Sequence, residues 1–272
     1  MIRVPMPDGW LLVEHRNHAR LAGEFARHWG NARFAPPEPR SHVVVAVARH
    51  DDAWAERDVA PSVAGGGEPA GFSRELVGTY SAFENIDLED YLRVRGRATE
   101  AVAREDPYAA VLVSMHTVNL LTEQADPSAL GAAQRDLLAG FVGGQRRRQE
   151  DLVACLRTDP AWIEAVRPER LRRAFEFLQA CDSLSLAVCV GYPKRIALRH
   201  RQPTTDGGSI EIHCEPVGEG EFRVDPWPFD RDSLELRVPC RRVPGTVFAN
   251  DTTLRRAYAA ARVEPMALRL RP

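Results

Sequence analysis

The sequence predicts a mainly α protein: a helical bundle entered through an N-terminal hairpin and followed by a smaller β-rich C-terminal lobe. Three observations carry this. Between residues 15 and 191, apolar residues recur every three or four positions over long stretches, the period of a helix with one buried face. After Pro193 the pattern shortens to brief apolar segments, several alternating with period two and separated by Gly, Pro or Asp pairs. At the start, two short apolar segments flank Pro-Asp-Gly, which is turn chemistry. The predicted division of the 272 residues is 1–192 for the helical part with its hairpin and 193–272 for the lobe packed on it.

Taken in order, Ile2–Val4 and Trp10–Val13 form the hairpin. Asn17 is placed to cap a helix whose stripe is His18, Leu21, Ala22, Phe25 and Trp29, with Gly30 as its stop. His15 and His28 fall off that stripe or at its margin and read as solvated. Asn31–Arg40 is a proline-rich loop. Val43–Trp54, VVVAVARHDDAW, reads on propensity as a buried strand, with a buried helix as the competing reading. Residues 57–80, with Gly65-Gly66-Gly67 and two prolines, form an irregular segment of a length that is either functional or mobile. Asp87–Arg104 is amphipathic and helical. Tyr108–Leu121 is strongly apolar and, if helical, sets His116 on a face with Leu112, Val113 and Leu120. Asp126–Arg157 reads as one or two helices with a weak point at Gly143-Gly144. Pro168–Gly191 is the last long helix, proline first and glycine last, with Leu171, Phe175, Leu178, Asp182 and Ser185 on one face. The lobe comprises strands at Ile196–Arg199, Ser209–Cys214, Glu221–Val224, Leu234–Val238 and Ala267–Leu270, and a short helix at Leu254–Ala261; the early hairpin could pair with these strands.

Composition narrows the function. The chain is 44% hydrophobic and 27% charged with a net charge of −2, so it carries no footprint for nucleic acid or an anionic membrane. Lys194 is the single lysine. The five cysteines are odd in number and lack a C-x-x-C pair, which points to reduced thiols in a cytoplasmic protein. MIRVPMPDGW is no signal peptide, and no apolar run approaches the ~18 residues of a membrane span. The expected partner is a small-molecule substrate; the oligomeric state is not written in the sequence.

His18, the pair His50-Asp51, His116 and Asp182 all lie on apolar faces of separate elements. Singly, each reads as a hydrogen-bonded core residue. Together, three imidazoles and two carboxylates in one core are mutually expensive, and a divalent cation resolves that cost because it needs neutral imidazole and ionised carboxylate. Mixed N and O ligands suit Fe, Mn, Zn, Co or Ni, as one ion or two.

The order His, then His-Asp some thirty residues on, then Asp in a distant apolar helix resembles the HD-domain superfamily, at His18, His50, Asp51 and Asp182. The setting LQACDSLSL around Asp182 is similar to that of the superfamily's aspartate. The resemblance implies an HD-like helical bundle, favours the helix for Val43–Trp54, and implies a metal-dependent hydrolase acting on a phosphoester or other small anion. Its alternatives are an iron-dependent oxygenase and a non-catalytic metal- or ligand-binding protein. More narrowly, DGWLLV at 8–13, HDDAW at 50–54, DPYAAVLVSMH at 106–116 and VDPWPF at 224–229 resemble the uncharacterised bacterial family DUF3891.

In the hydrolytic reading, Asp51 bridges a second ion or orients the nucleophile. His116 is a second-metal ligand or the acid for the leaving oxygen. Asp52 and Asp58 either fix imidazole tautomers or are ordinary exposed acids, and Lys194 and Arg195 either meet the substrate anion or are surface charges. The superfamily's dinuclear pattern has two histidines where this chain has only His116, so Glu84 or Asp90 would have to stand in.

Overall fold

A computed structural model describes residues 1–77, 81–82, 87–123, 125–126, 128 and 130–272. Its helices are α1 (His15–His28), α2 (Arg40–Arg49), α3 (Ala55–Asp58), α4 (Leu88–Ala103), α5 (Pro107–Thr122), α6 (Ala132–Leu156), α7 (Pro168–Cys189) and α8 (Asp251–Ala260). The strands are β1 (Ile2–Met6), β2 (Gly9–Val13), β3 (Ser81–Ala82), β4 (Ala125–Asp126), β5 (Ile196–Ala197), β6 (Gln202–Pro203), β7 (Ser209–Ile210), β8 (His213–Gly218), β9 (Glu221–Asp225), β10 (Leu234–Pro244) and β11 (Val263–Arg271).

The expected mainly α, HD-like bundle with a smaller β lobe is corrected by the sheet. Seven strands run in the order β1-β2-β10-β11-β9-β8-β5, and the fold is mixed α/β. The N-terminal hairpin is part of that sheet: β2 lies antiparallel to β10, with Leu12 opposite Arg241 and Gly9 opposite Pro244. β11 lies parallel to β9. β10 and β11 are 11 and 9 residues long and extend beyond the apolar segments Leu234–Val238 and Ala267–Leu270, β10 by continuing its alternation through Cys240 and Val243 and β11 by pairing its exposed Val263–Pro265 with β10. One core joins the two layers, with Phe25 and Trp29 of α1 and Leu184 and Val188 of α7 clustered with Phe229, Val238 and Leu268.

Val43–Arg49 lies within a helix despite its valines. Val43, Ala46 and Val47 form its buried face, and tertiary burial overrides weak propensity. α4 and α5 begin where Asp87 and Asp106 accept the amides of Asp90 and Ala109. α6 runs unbroken through Gly143-Gly144. α1 starts three residues earlier than expected, with Glu14 rather than Asn17 at its N-cap, so His15 is helical and buried.

Two of the candidate ligands depend on one close approach. A Cβ built on Gly23 of α1 would lie 2.6 Å from the Cβ of Ala48 in α2, so only glycine lets these helices meet. Gly23→Ala is expected to destabilise the protein by about 1–3 kcal/mol through overpacking, read as a lowered urea midpoint. The same change should weaken metal affinity, because His18 and His50 sit on the helices it pushes apart.

Candidate metal centre

Five side chains from four elements converge between α1, α2, α5 and α7. His18 comes from the buried face of α1. His50 caps α2, and Asp51 follows where the chain leaves the helix. His116 and Asp182 lie on α5 and α7. One ligand atom each from His18, His50 and Asp51 lies within 4.8 Å of the others, and the same holds for His50, His116 and Asp182. Ligands about 2.0–2.2 Å from a common ion stand roughly 3–4 Å apart, so small side-chain adjustments would close either group.

The tautomers are set by neighbours. His50 Nδ1–H donates to the Val47 carbonyl at 2.7 Å, which turns Nε2 into the cluster. That Nε2 is buried without a hydrogen-bond partner, although Asp182 Oδ1 is 3.2 Å away and Asp51 Oδ2 4.0 Å. Ser185 Oγ lies 2.9 Å from the Asp182 carbonyl oxygen and 3.0 Å from His18 Nδ1, so its one hydroxyl hydrogen can serve either. His18 Nε2 stands 3.0 Å from Asp51 Oδ2, and a neutral ring carrying its hydrogen on Nε2 donates it to that carboxylate. A metal ion at this point would take the place of that hydrogen. His116 Nδ1 is likewise buried without a partner.

The electrostatics are those of a charged, buried group. Burial disfavours the His50 imidazolium, but Asp182 and Asp51 outweigh it and raise its pKa to about 9. Burial would raise Asp182, yet His50, His116 and His18 hold it down to about 2. Asp51 is well below the carboxylate range, with Arg95, His18 and His50 overcoming its burial. Burial, with His50 beside it, pushes His116 down to about 3, so it is a neutral imidazole.

Arg95 was not anticipated. It is 2% exposed, its Nη1 donates to Asp51 Oδ1 at 2.9 Å, and its guanidinium lies over Trp54 and Tyr91 at 5.1 and 5.3 Å. The signal was available: Leu88, Tyr91, Leu92, Arg95, Ala98 and Val102 share the buried stripe of α4.

Other expectations fall elsewhere. Asp52 is paired with Arg49 at 2.8 Å. Asp58 holds His15 and the Met1 ammonium in a second buried cluster, so His15 is not solvated. That histidine stacks on Trp54 at 4.5 Å, and its ring lies 6.0 Å from His18's. Lys194 and Arg195 are exposed beyond the end of α7, and Lys194 borders a shallow depression with Tyr192 and Glu215. Neither is brought to the ligand group. Asp90 is paired with Arg57 and Arg93, and Glu84 lies outside the described residues. All five cysteines are free, and no helix among the described residues is long and apolar enough to cross a membrane.

Fold and site together define a mixed α/β protein with two overlapping histidine–aspartate groups that could hold a metal ion. The family described as Protein of unknown function (DUF3891) matches residues 1–245, and the chain belongs to it. Compared with curated proteins and with solved structures, the chain has no match.

Proposed function

We propose that this chain is a metal-dependent hydrolase with one divalent transition ion held by His18, His50, Asp51, His116 and Asp182. The observation that carries the reading is His50 Nε2, buried without a hydrogen-bond partner between two carboxylates while its other nitrogen is committed to the backbone. The His…His-Asp…Asp order that resembles the HD superfamily supports the same ligand set. Both three-residue groups use His50, whose Nε2 has a single lone pair, so the arrangement favours one ion over two.

The ion, when bound, supplies Lewis acidity toward water and toward a substrate oxygen. Fe, Mn, Zn, Ni and Co all fit the mixed N and O donors. The protein's part is charge. In the metal-free centre, His50 as imidazolium and Arg95 balance Asp51 and Asp182. Replacing one proton by a divalent ion leaves a net charge of about +1 in a buried site, which favours a small anionic substrate such as a phosphoester. His116, neutral across ordinary pH, serves as a ligand better than as the acid for a leaving group.

Metal content tests this. Untagged protein should carry one equivalent of a transition metal that His50→Ala/Asp51→Ala lacks. Manganese, zinc, nickel or cobalt directs a phosphoester screen. Iron, with oxygen consumption, would turn the reading to an oxygenase. Absence of metal after reconstitution would reduce the centre to a buried ion-pair network.

Binding should also release a proton. With His50 at about 9, close to one proton leaves that ring at pH 7, and affinity rises about tenfold per pH unit until pH 9. Calorimetric titration in buffers of different ionisation enthalpy measures it, and zero proton release would contradict the role of His50.

A further inference from the structure

The five ligands leave one task open. Hydrolysis joins the oxygen of water to the electrophilic centre, breaks the bond to the leaving oxygen, and moves one proton from the first oxygen to the second. His18, His50 and His116 are all committed to ligation in this reading. Among the described residues, His200 is the one non-glycine with a left-handed backbone, φ 59°. A histidine kept where glycine would be unstrained points to its side chain.

That side chain is anchored to α7 one turn from Asp182. His200 Nε2–H donates to Gln179 Oε1 at 2.6 Å, and Gln179 Nε2 donates to Asn119 Oδ1 at 2.7 Å. Gln179 lies one turn from Asp182 on α7, and Asn119 one turn from His116 on α5. Residues so spaced have Cβ atoms about 5–6 Å apart. The Arg199 amide donates to Ser183 Oγ, so the 199–200 segment follows α7 past Asp182. Asp182 is also the candidate acid with the more exposed side chain, 13% against 9% for Asp51. Gln202 adds a second observation: it is 1% exposed, its Nε2 donates to the His200 carbonyl, and its Oε1 is buried without a partner. Glu176, Arg199 and Arg172 are the charged groups around the imidazole.

We infer that His200 stands at the mouth of the metal centre as its substrate-facing acid–base residue, with Nδ1 carrying the proton from water to the leaving oxygen. The buried amides of Gln179 and Gln202 hold it there. This rests on the metal reading above.

The test needs no substrate. Zinc is added to protein labelled with ¹⁵N-histidine, and each ring is titrated by NMR. Loading turns a nearly neutral centre positive, so the pKa of His200 should fall by about half a unit or more, while that of His213 stays fixed. His200→Gly suits the left-handed backbone, so the variant should fold and keep its zinc. With the mouth opened, a chelator should strip the metal at least about tenfold faster. If wild type holds no zinc, the metal reading falls and this inference with it. If zinc binds but either the His200 pKa or the stripping rate is unchanged, the centre stands and the role of His200 is overturned.

Discussion

Asp51→Ala is expected to cost the metal-free protein about 3–5 kcal/mol, because it strands a buried guanidinium. Arg95 is 2% exposed, and Asp51 is its one carboxylate partner among the described residues. The rings of Trp54 and Tyr91 attract the cation but do not neutralise it. Arg95→Met alone should be costly in the mirror sense, since Asp51 would lose the cation that most holds it ionised. The double variant removes both charges and should recover much of the loss, because a buried pair contributes far less than its broken halves cost. Urea unfolding with a chelator present closes the cycle, with a coupling energy of about 2 kcal/mol or more expected. A loss under about 1 kcal/mol for Asp51→Ala would mean that Arg95 reaches water and that its burial is not the controlling term.

The centre was more legible in the sequence than the fold. His18, His116 and Asp182 betray themselves because each occupies an apolar position of a helical repeat, where a polar side chain needs a reason. Arg95 obeys the same rule on α4 and was hidden only by the commonness of arginine in this chain. His15 could not be found that way: its partners, Asp58 and the Met1 ammonium, are brought to it by tertiary folding. The sheet was hidden for a related reason. Short alternating segments announce strands, but nothing local in Gly9–Val13 says that its neighbour is β10. Pairing over such a separation is decided by the shared core, so the pattern shows that the hairpin could pair with the lobe's strands but neither its partner nor the order of seven strands. His200 left no trace, since a left-handed backbone at a histidine is a property of the folded loop and RHRQP carries no turn signature that demands it.

The fall of stability with rising pH that marks the metal-free protein should vanish in the metal-loaded protein, and the difference follows from His50. Its folded pKa, about 9, lies above the ordinary value of 6.5. A group raised in this way contributes stability that is fully present below pH 6.5 and is lost as pH climbs through 9. Two and a half units correspond to at most about 3 kcal/mol, so metal-free protein should lose on the order of 2–3 kcal/mol between pH 6.5 and 9.5. Asp182, held down to about 2, works on the other side: its contribution is present above pH 4 and disappears as pH falls through 2. Metal-free protein is therefore expected to be most stable near pH 5–6 as far as these two groups decide. The loaded protein has no His50 proton to lose. Metal adds about 4 kcal/mol when free metal is a thousandfold above Kd, and the rise of affinity toward pH 9 offsets the loss that the metal-free protein suffers over the same range. Urea midpoints at pH 6.5, 8 and 9.5, with chelator and with saturating zinc, should fall in the first series and stay level in the second. Parallel slopes would show that the proton on His50 and the ion do not compete for Nε2, and the centre drawn around that nitrogen would have to be abandoned.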